Sequence, residues 1–169
     1  PSPVRLPPPL AEELLFRKAL LDRLKPYGEG FAILASALLF ALVHGNLFQM
    51  LYAFAVGGFF GYVALRTGGV RWTIPLHAGV NFVSAGLSPL LEHFGDRGES
   101  ALSYFILFSL VFGWYLLSAR YRDRDRDEGL APGSAGMEAG EKWGLFLVNP
   151  GMTVFCLLIL FAVLLAMRM

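Results

Sequence analysis

Two adjacent carboxylates and an arginine stand at the head of the first helical segment of an otherwise apolar sequence. Glu12 and Glu13 occur in "LAEELLFR", and Arg17 follows Glu13 by four residues. Because positions i and i+4 of an α-helix share a face, Glu13 and Arg17 are predicted to pair, whereas Glu12 is rotated by about 100°. An ionisable side chain in apolar surroundings is costly, so all three are candidates for function.

Two histidines follow, each sharing a helix face with a second side chain. Phe40 precedes His44 in "FALVH", and His77 precedes Asn81 in "HAGVN". A carboxylate in an apolar site can take a proton from water, and a neighbouring imidazole can orient that water. A second imidazole and a carboxamide can hold the oxyanion of a tetrahedral intermediate. Together these groups are the parts of a hydrolase that cleaves an amide bond.

Each group also has a purely structural explanation. Acidic residues suit the first turn of a helix, where they meet the positive end of its dipole, and a Glu–Arg pair at i, i+4 adds only about 0.2–0.5 kcal/mol. His44 can act as a cation at a helix C-terminus, and His77 and Asn81 can form hydrogen bonds between helices. The sequence contains neither G-x-S-x-G nor H-E-x-x-H, so it lacks the signatures of the common soluble hydrolases.

The composition indicates a membrane protein. Of the 169 residues, 56% are hydrophobic and only 16% are charged, and the mean hydropathy is +0.56, above what a soluble domain with a solvated surface carries. The formal net charge of +1 provides no basic field for binding nucleic acid. The single cysteine, Cys156, excludes an intramolecular disulfide.

The predicted fold is all-α, a polytopic transmembrane helical bundle with about five spans and an additional N-terminal helix. A run of about 20 apolar residues crosses the ~30 Å hydrocarbon core of a bilayer. The prolines at positions 7, 8 and 9 precede the N-terminal helix, which carries the acidic motif. The spans are predicted at Phe31–His44, Leu47–Leu65, Trp72–Leu91, Leu102–Ala119 and Thr153–Met167.

The chain is predicted to consist of three parts. Residues 10–119 form the core, with all the motifs within 10–91, and residues 152–169 form a C-terminal transmembrane helix. Between them, residues 120–151 begin with alternating charges and continue with Gly, Ala, Pro and Ser. Such a composition cannot bury much apolar surface, which predicts a solvated polar linker.

Taken in order, the three motifs resemble those of a known family. E-E-x-x-x-R from Glu12, F-x-x-x-H from Phe40 and H-x-x-x-N from His77 are similar to the motifs of the CPBP family of intramembrane proteases. That family includes the type II CAAX prenyl endopeptidases and bacteriocin-immunity-type membrane proteins. The resemblance covers about half of the chain. Family members usually carry further spans before the first motif, so we expect this chain to be a fragment.

The resemblance implies a role for each motif residue. Glu12 is expected to be the general base that activates water, with His44 assisting. His77 and Asn81 are expected to stabilise the oxyanion. These assignments describe an intramembrane endopeptidase that needs no cofactor.

The resemblance also implies supporting roles and leaves one metal alternative open. Glu13 and Arg17 are expected to form a supporting ion pair, with Glu13 as a further candidate for the chemistry, and Phe40 is expected to support His44. The family has been described as zinc-dependent, and Glu12, His44 and His77 are the residues that would bind zinc. The carboxamide of the third motif suits an oxyanion better than a metal, which favours the metal-free mechanism.

Partners and location follow from the same resemblance. The substrate is expected to be a peptide or a membrane protein, the surrounding partner is the lipid bilayer, and no nucleic acid is expected. The protein is expected to be an integral, multi-pass protein of a bacterial cell membrane. A different class of function stays open: a non-catalytic membrane binding or immunity protein that keeps the motif residues only to hold its helices together.

Overall fold

Helices dominate the described part of the protein, which confirms the all-α prediction. This part contains no β-strand, and its one extended pairing is an isolated antiparallel bridge between Gly28 and Pro132. The computed structural model describes residues 7–87 and 129–166, together with positions 89, 91, 93–95, 100, 104, 108 and 115.

The chain divides into two compact units, one formed by Pro1–Ile74 with Leu130–Met169 and the other by Pro75–Gly129. The first unit carries the first two motifs, and the second unit carries the third. The α-helices are α1 (Pro8–Glu13), α2 (Leu21–Leu24), α3 (Glu29–Leu42), α4 (Leu47–Thr67), α5 (Thr73–Asn81), α6 (Ala139–Leu147) and α7 (Pro150–Ala166), with a 3₁₀ turn at Lys25–Tyr27.

The N-terminal helix changes from α-helical to π-helical hydrogen bonding directly after Glu13. α1 begins after Pro7, and its proline at the first helical position is tolerated because that N–H would have no partner within the helix. The segment Leu14–Leu20 is π-helical, and the Leu21 N–H donates to the Phe16 carbonyl five residues earlier. Phe16 and its neighbour Arg17 are buried within this segment.

Helices α3 and α4 approach each other closely at a glycine. A Cβ atom on Gly57 of α4 would lie 3.0 Å from Phe40 Cδ1 and 3.3 Å from Ala37 Cα. Phe40 and Ala37 are both buried on α3. Gly57 therefore allows α4 to pack directly against Phe40, which is one of the motif residues.

The prediction of five membrane spans is not confirmed. Among the described residues, one helix is long and apolar enough to cross a membrane, Gln49–Thr67 within α4. Helices α6 and α7 supply a second candidate, because Ala139–Leu147 and Pro150–Leu165 pass the same criterion together, although they are bent by 55°. The membrane prediction therefore has the support of one helix, or of two spans if the bent pair forms one.

The other predicted spans are shorter in the structure or lie outside its described part. Phe31–His44 corresponds to α3, whose 14 residues at ~1.5 Å each fall short of a ~30 Å hydrocarbon core. Trp72–Leu91 corresponds to the nine residues of α5 and a π-helical segment, Phe82–Leu87. Leu102–Ala119 lies almost entirely outside the described residues.

The segment predicted as a solvated linker is ordered in its described part, residues 129–151. The Glu29 N–H donates to the Ala131 carbonyl at 3.1 Å, and the Ala131 N–H donates to the Glu29 carboxylate at 2.9 Å. Gly133 packs so closely on Tyr27 that an added Cβ would overlap the Tyr27 carbonyl carbon. Composition alone missed this order because it depends on backbone contacts with a distant turn rather than on apolar content.

A surface ion-pair cluster at α2 provides a test of the pH dependence of stability. Asp22 contacts Lys18 Nζ at 3.0 Å and Lys25 Nζ at 2.8 Å. Burial opposes the charged form of Asp22, but the hydrogen bonds from Lys25 and Lys18 outweigh it and hold the pKa of Asp22 below its ordinary value. A lowered pKa in the folded state adds stability above the unfolded pKa, and this stability is lost as the pH falls through the folded pKa.

Replacing Asp22 with asparagine is therefore expected to lower the free energy of unfolding by at most ~1 kcal/mol at neutral pH, because the pairs are solvent-exposed. Unfolding of the wild type and Asp22→Asn would be compared in detergent across a pH series. The difference should vanish at acid pH and shrink with added salt. A difference that persists unchanged at acid pH would contradict the assignment to this cluster.

Candidate active site

Glu12 and Glu13 are the last two residues of α1, and they differ in exposure. Glu13 is fully buried, with 0% of its surface accessible, whereas Glu12 is half-buried and has one carboxylate oxygen that is buried. Arg17 Nε lies 3.5 Å from Glu13 Oε2, so the predicted i, i+4 ion pair is present. Adjacent carboxylates thus have different surroundings: one is held in a buried ion pair, and the other remains partly accessible.

Arg17 lies in apolar surroundings between two helices. Its guanidinium carbon is 4.6 Å from the centroid of the Phe40 ring, and Nη1 lies 3.5 Å from Ser36 Oγ. Burial lowers the pKa of the Arg17 guanidinium, while the negative charges of Glu13 and Glu12 act in the opposite direction. Glu12 is therefore close enough for its charge to act on Arg17, although the ion pair is formed with Glu13.

Ser36 joins α3 to the π-helical segment, and the sequence reasoning missed it. It is fully buried on α3, and its hydroxyl donates to the Phe16 carbonyl at 2.8 Å. That carbonyl also closes the π-helical turn. A signal was present in the sequence, because Ser36 is the one polar residue in the stretch Phe31–Leu42.

Replacing Ser36 with alanine is expected to lower the free energy of unfolding by ~1–3 kcal/mol, because it removes a buried acceptor from Arg17 and a donor from the Phe16 carbonyl. Unfolding in detergent would measure the loss. Ser84→Ala is the matched control, since the Ser84 hydroxyl bonds only to carbonyls of its own helix and is exposed. It should change stability by less than about 0.5 kcal/mol. Equal effects of the two substitutions would contradict the linking role.

His44 lies just beyond α3, in contact with Phe40 on the same face. The two rings are 4.9 Å apart in an edge-to-face arrangement, and His44 Nδ1 is 2.8 Å from the Phe40 carbonyl oxygen. A carbonyl oxygen only accepts hydrogen bonds, so Nδ1 must carry the proton. In the neutral imidazole, Nε2 is then the nitrogen with the lone pair, which is the atom that can accept a proton from water.

The Phe40 ring connects the first two motifs. One side of the ring is in contact with the Arg17 guanidinium, and the His44 ring packs against it as well. Phe16 packs edge-to-face on the same ring, with centroids 5.3 Å apart. The supporting role predicted for Phe40 is consistent with this position.

His77 and Asn81 lie on α5, in the second unit. His77 is buried, with 4% of its surface accessible, and Asn81 is half-buried. Asn81 ends α5, and the π-helical segment Phe82–Leu87 begins directly after it. The segment Leu14–Leu20 begins in the same way after Glu13. π-Helical turns are rare and are enriched at functional sites. Here one contains Arg17 of the first motif, and the other follows Asn81 of the third motif.

A zinc-dependent mechanism would require side chains arranged to bind a metal ion. In the portion of the chain that the structure describes, no group of three or more His, Cys, Asp or Glu side chains is arranged to hold a metal ion. Zinc dependence is therefore left to experiment.

Comparison with known proteins was made at three levels. A family model described as Type II CAAX prenyl endopeptidase Rce1-like matches residues 4–83, slightly less than half of the chain. No curated protein and no solved structure matches the chain. The matched residues contain all three motifs that suggested the resemblance, from Glu12 to Asn81. Over residues 4–83, the chain is therefore similar to the Rce1-like family of type II CAAX prenyl endopeptidases, which are membrane-embedded proteases.

Proposed function

We propose that the protein is an intramembrane endopeptidase in which Glu12, assisted by His44, activates water to hydrolyse a peptide bond. The observation that carries this proposal is the different environment of the two adjacent glutamates. The charge of Glu13 is balanced by Arg17 inside the protein, whereas Glu12 stays partly accessible to water. Of the two, Glu12 is therefore better placed to meet a water molecule and a substrate.

The proposed reaction is a general-base hydrolysis. Glu12 takes one proton from water while the water oxygen forms a bond to the carbonyl carbon, whose π electrons move to the carbonyl oxygen. The tetrahedral intermediate then collapses, the carbon–nitrogen bond breaks, and the proton passes from Glu12 to the leaving nitrogen. The products are a carboxylic acid and an amine. A base in this role typically contributes about 10²–10⁴-fold to the rate.

The hydrogen bonding of His44 supports an assisting role. Because Nδ1 donates to the Phe40 carbonyl, the ring orientation and the tautomer are fixed, and Nε2 is left as the acceptor. Such a nitrogen can orient the attacking water or share its proton.

The oxyanion role of His77 and Asn81 rests on the family resemblance, and the burial of His77 is in keeping with it. Donors screened from bulk water stabilise a developing negative charge more strongly than exposed donors. One such donor typically contributes ~2.7–4 kcal/mol to transition-state stabilisation. The proposed substrate is a peptide or membrane protein presented at the bilayer, and the proposal does not require a prenyl group.

The experiment that tests the proposal uses the full chain in phospholipid nanodiscs. The protein would be incubated with a library of membrane-associated peptides in ¹⁸O-labelled water, with and without a metal chelator, and products would be identified by mass spectrometry. Cleavage that places one ¹⁸O in each new carboxylate and that survives the chelator is expected. Activity lost to the chelator and restored by zinc would establish the zinc-dependent version. Folded protein that yields no product from any peptide would overturn the proposal in favour of a non-catalytic binding protein.

A further inference from the structure

An apolar cleft lies in the first unit, away from Glu12 and His44. Its volume is about 210 Å³, and it opens to solvent between the end of the N-terminal helical region and α6. A single phospholipid acyl chain would find an almost continuous hydrocarbon surface in it. The apolar and aromatic lining consists of Leu24, Tyr27, Phe31, Met137, Leu145 and Phe146.

Two of the rings that line the cleft, Phe31 and Phe146, belong to a cluster of three aromatic rings. The Phe31 ring packs edge-to-face on Trp143 at 4.9 Å and on Phe146 at 5.8 Å. Trp143 and Phe146 are themselves 5.7 Å apart. The mutual packing of the three rings holds α6 against the start of α3, so the cleft is part of the folded structure of this unit.

One cation, Lys142, lines the cleft without an ion pair among the described residues. The nearest acidic residues in sequence, Glu138 and Glu141, are engaged with backbone N–H groups in the capping box at the start of α6. The other polar lining residue, Asn149, uses its side chain to join α6 to α7: it donates to the Leu145 carbonyl and accepts from the Met152 N–H. The ammonium of Lys142 is therefore available to a ligand.

The position of the cleft in the chain places it at a membrane surface. α7 is apolar throughout, and side chains such as Leu158 and Phe161 are more than half exposed, as expected for a helix surrounded by lipid. α6 meets α7 at a bend of 55° and carries Trp143 beside Lys142, a pair that is typical of the boundary between hydrocarbon and water. The cleft is lined by Lys142, Leu145 and Phe146 of α6, the helix that carries this pair.

The charge of the neighbouring segment indicates which lipid fits. Residues 18–25, which lead into the cleft at Leu24, contain three exposed basic residues and one acidic residue. Basic residues at a membrane surface attract anionic lipids. Together with the unpaired ammonium in the cleft, they favour a negatively charged headgroup over a zwitterionic one.

We propose that this cleft binds an anionic phospholipid, with one acyl chain along the apolar wall and the headgroup phosphate on Lys142. The site is separate from the proposed chemistry, and the proposal does not depend on the protein being a protease. A lipid bound here would hold α6 at the membrane surface and so anchor the first unit in the bilayer.

The test is lipid retention by the full-length protein. The protein would be purified from nanodiscs that contain phosphatidylglycerol and phosphatidylcholine, and the bound lipid would be counted by native mass spectrometry. We expect the wild type to retain phosphatidylglycerol preferentially and Lys142→Gln to reduce that preference about fivefold, the contribution of one lysine near an anionic surface. Arg71→Gln is the matched control, because Arg71 is exposed and packs on Trp72 rather than lining the cleft.

A second variant separates the acyl chain from the headgroup. Leu145 is 64% exposed, so Leu145→Trp should fold normally while filling the cleft, and it is expected to reduce retention of both lipids. A photoreactive acyl chain on phosphatidylglycerol should label the peptide 139–149 in the wild type and not in this variant. Equal retention of the two lipids by the wild type, equal effects of Lys142→Gln and Arg71→Gln, or labelling elsewhere only would each overturn the proposal.

Discussion

We expect Glu12→Gln to reduce peptide hydrolysis about 10²–10⁴-fold while leaving the protein folded. The amide has nearly the same shape as the carboxylate but cannot take a proton from water at neutral pH. Glu12 is half-buried and the amide nearly preserves its volume, so the exchange should disturb packing little. Initial rates with a substrate found by the peptide screen, together with thermal unfolding of the same samples, would measure both effects.

Glu13→Gln is the matched control, since it makes the same chemical change one residue further along. Its expected effect is on stability, because it weakens the buried pair with Arg17. Unchanged hydrolysis in Glu12→Gln would refute the proposed mechanism. A stable Glu13→Gln variant that has lost activity, beside an active Glu12→Gln, would instead move the base from Glu12 to Glu13.

The parts of the site that depend on local spacing could be predicted from the sequence. Glu13 and Arg17 pair as the i, i+4 rule requires, and Phe40 and His44 lie in contact for the same reason. These contacts arise from helix geometry, which a sequence specifies over a few residues. Their proposed chemical meaning came from the order of the three motifs, and the family match over residues 4–83 supports the resemblance on which it rests.

The parts that depend on tertiary contacts could not be predicted. The π-helical turn at Leu14–Leu20 has no pattern of residue types in the sequence, and its Phe16 carbonyl is satisfied by Ser36 from another helix. A lone serine in an apolar helix has several uses, including a bond to its own backbone, so the sequence does not identify its partner. In the same way, the order of residues 129–151 depends on the pairing of Ala131 with Glu29.

The predicted number of spans is not confirmed for a different reason, because hydropathy measures composition and not helix length. "FAILASALLFALVH" is apolar enough to suggest a crossing, yet α3 ends at Leu42. Val43 and His44 then form a turn, and Gly45 follows at a positive φ of 65°, through which an α-helix cannot continue. The same turn brings the His44 ring onto the Phe40 carbonyl, so the feature that shortens the span also positions a motif residue.

The largest effect on stability is expected from Arg17→Met, which should lower the free energy of unfolding by ~3–5 kcal/mol. Removing the guanidinium leaves the Glu13 carboxylate fully buried without its cation, and it leaves Glu12 beside it with the same charge. Glu13→Gln should lower the free energy of unfolding by less, because Glu12 still compensates part of the charge of Arg17. Unfolding in mixed detergent micelles would give the two values and their order.

A double-mutant cycle separates loss of the ion pair from loss of packing. Each single change is expected to be costly because it leaves an uncompensated buried charge. The double variant Glu13→Gln/Arg17→Met leaves neither charge unpaired by its partner, so its loss in the free energy of unfolding should be smaller than the sum of the two single losses. Lys18→Met with Asp22→Asn provides the exposed control, where each change should cost less than ~1 kcal/mol. Strict additivity at Glu13 and Arg17 would mean that the pair contributes packing alone. In that case the first motif would position Glu12 through packing. Coupling between Glu13 and Arg17 would mean instead that Arg17 binds the Glu13 carboxylate, which leaves Glu12 as the carboxylate that contacts water.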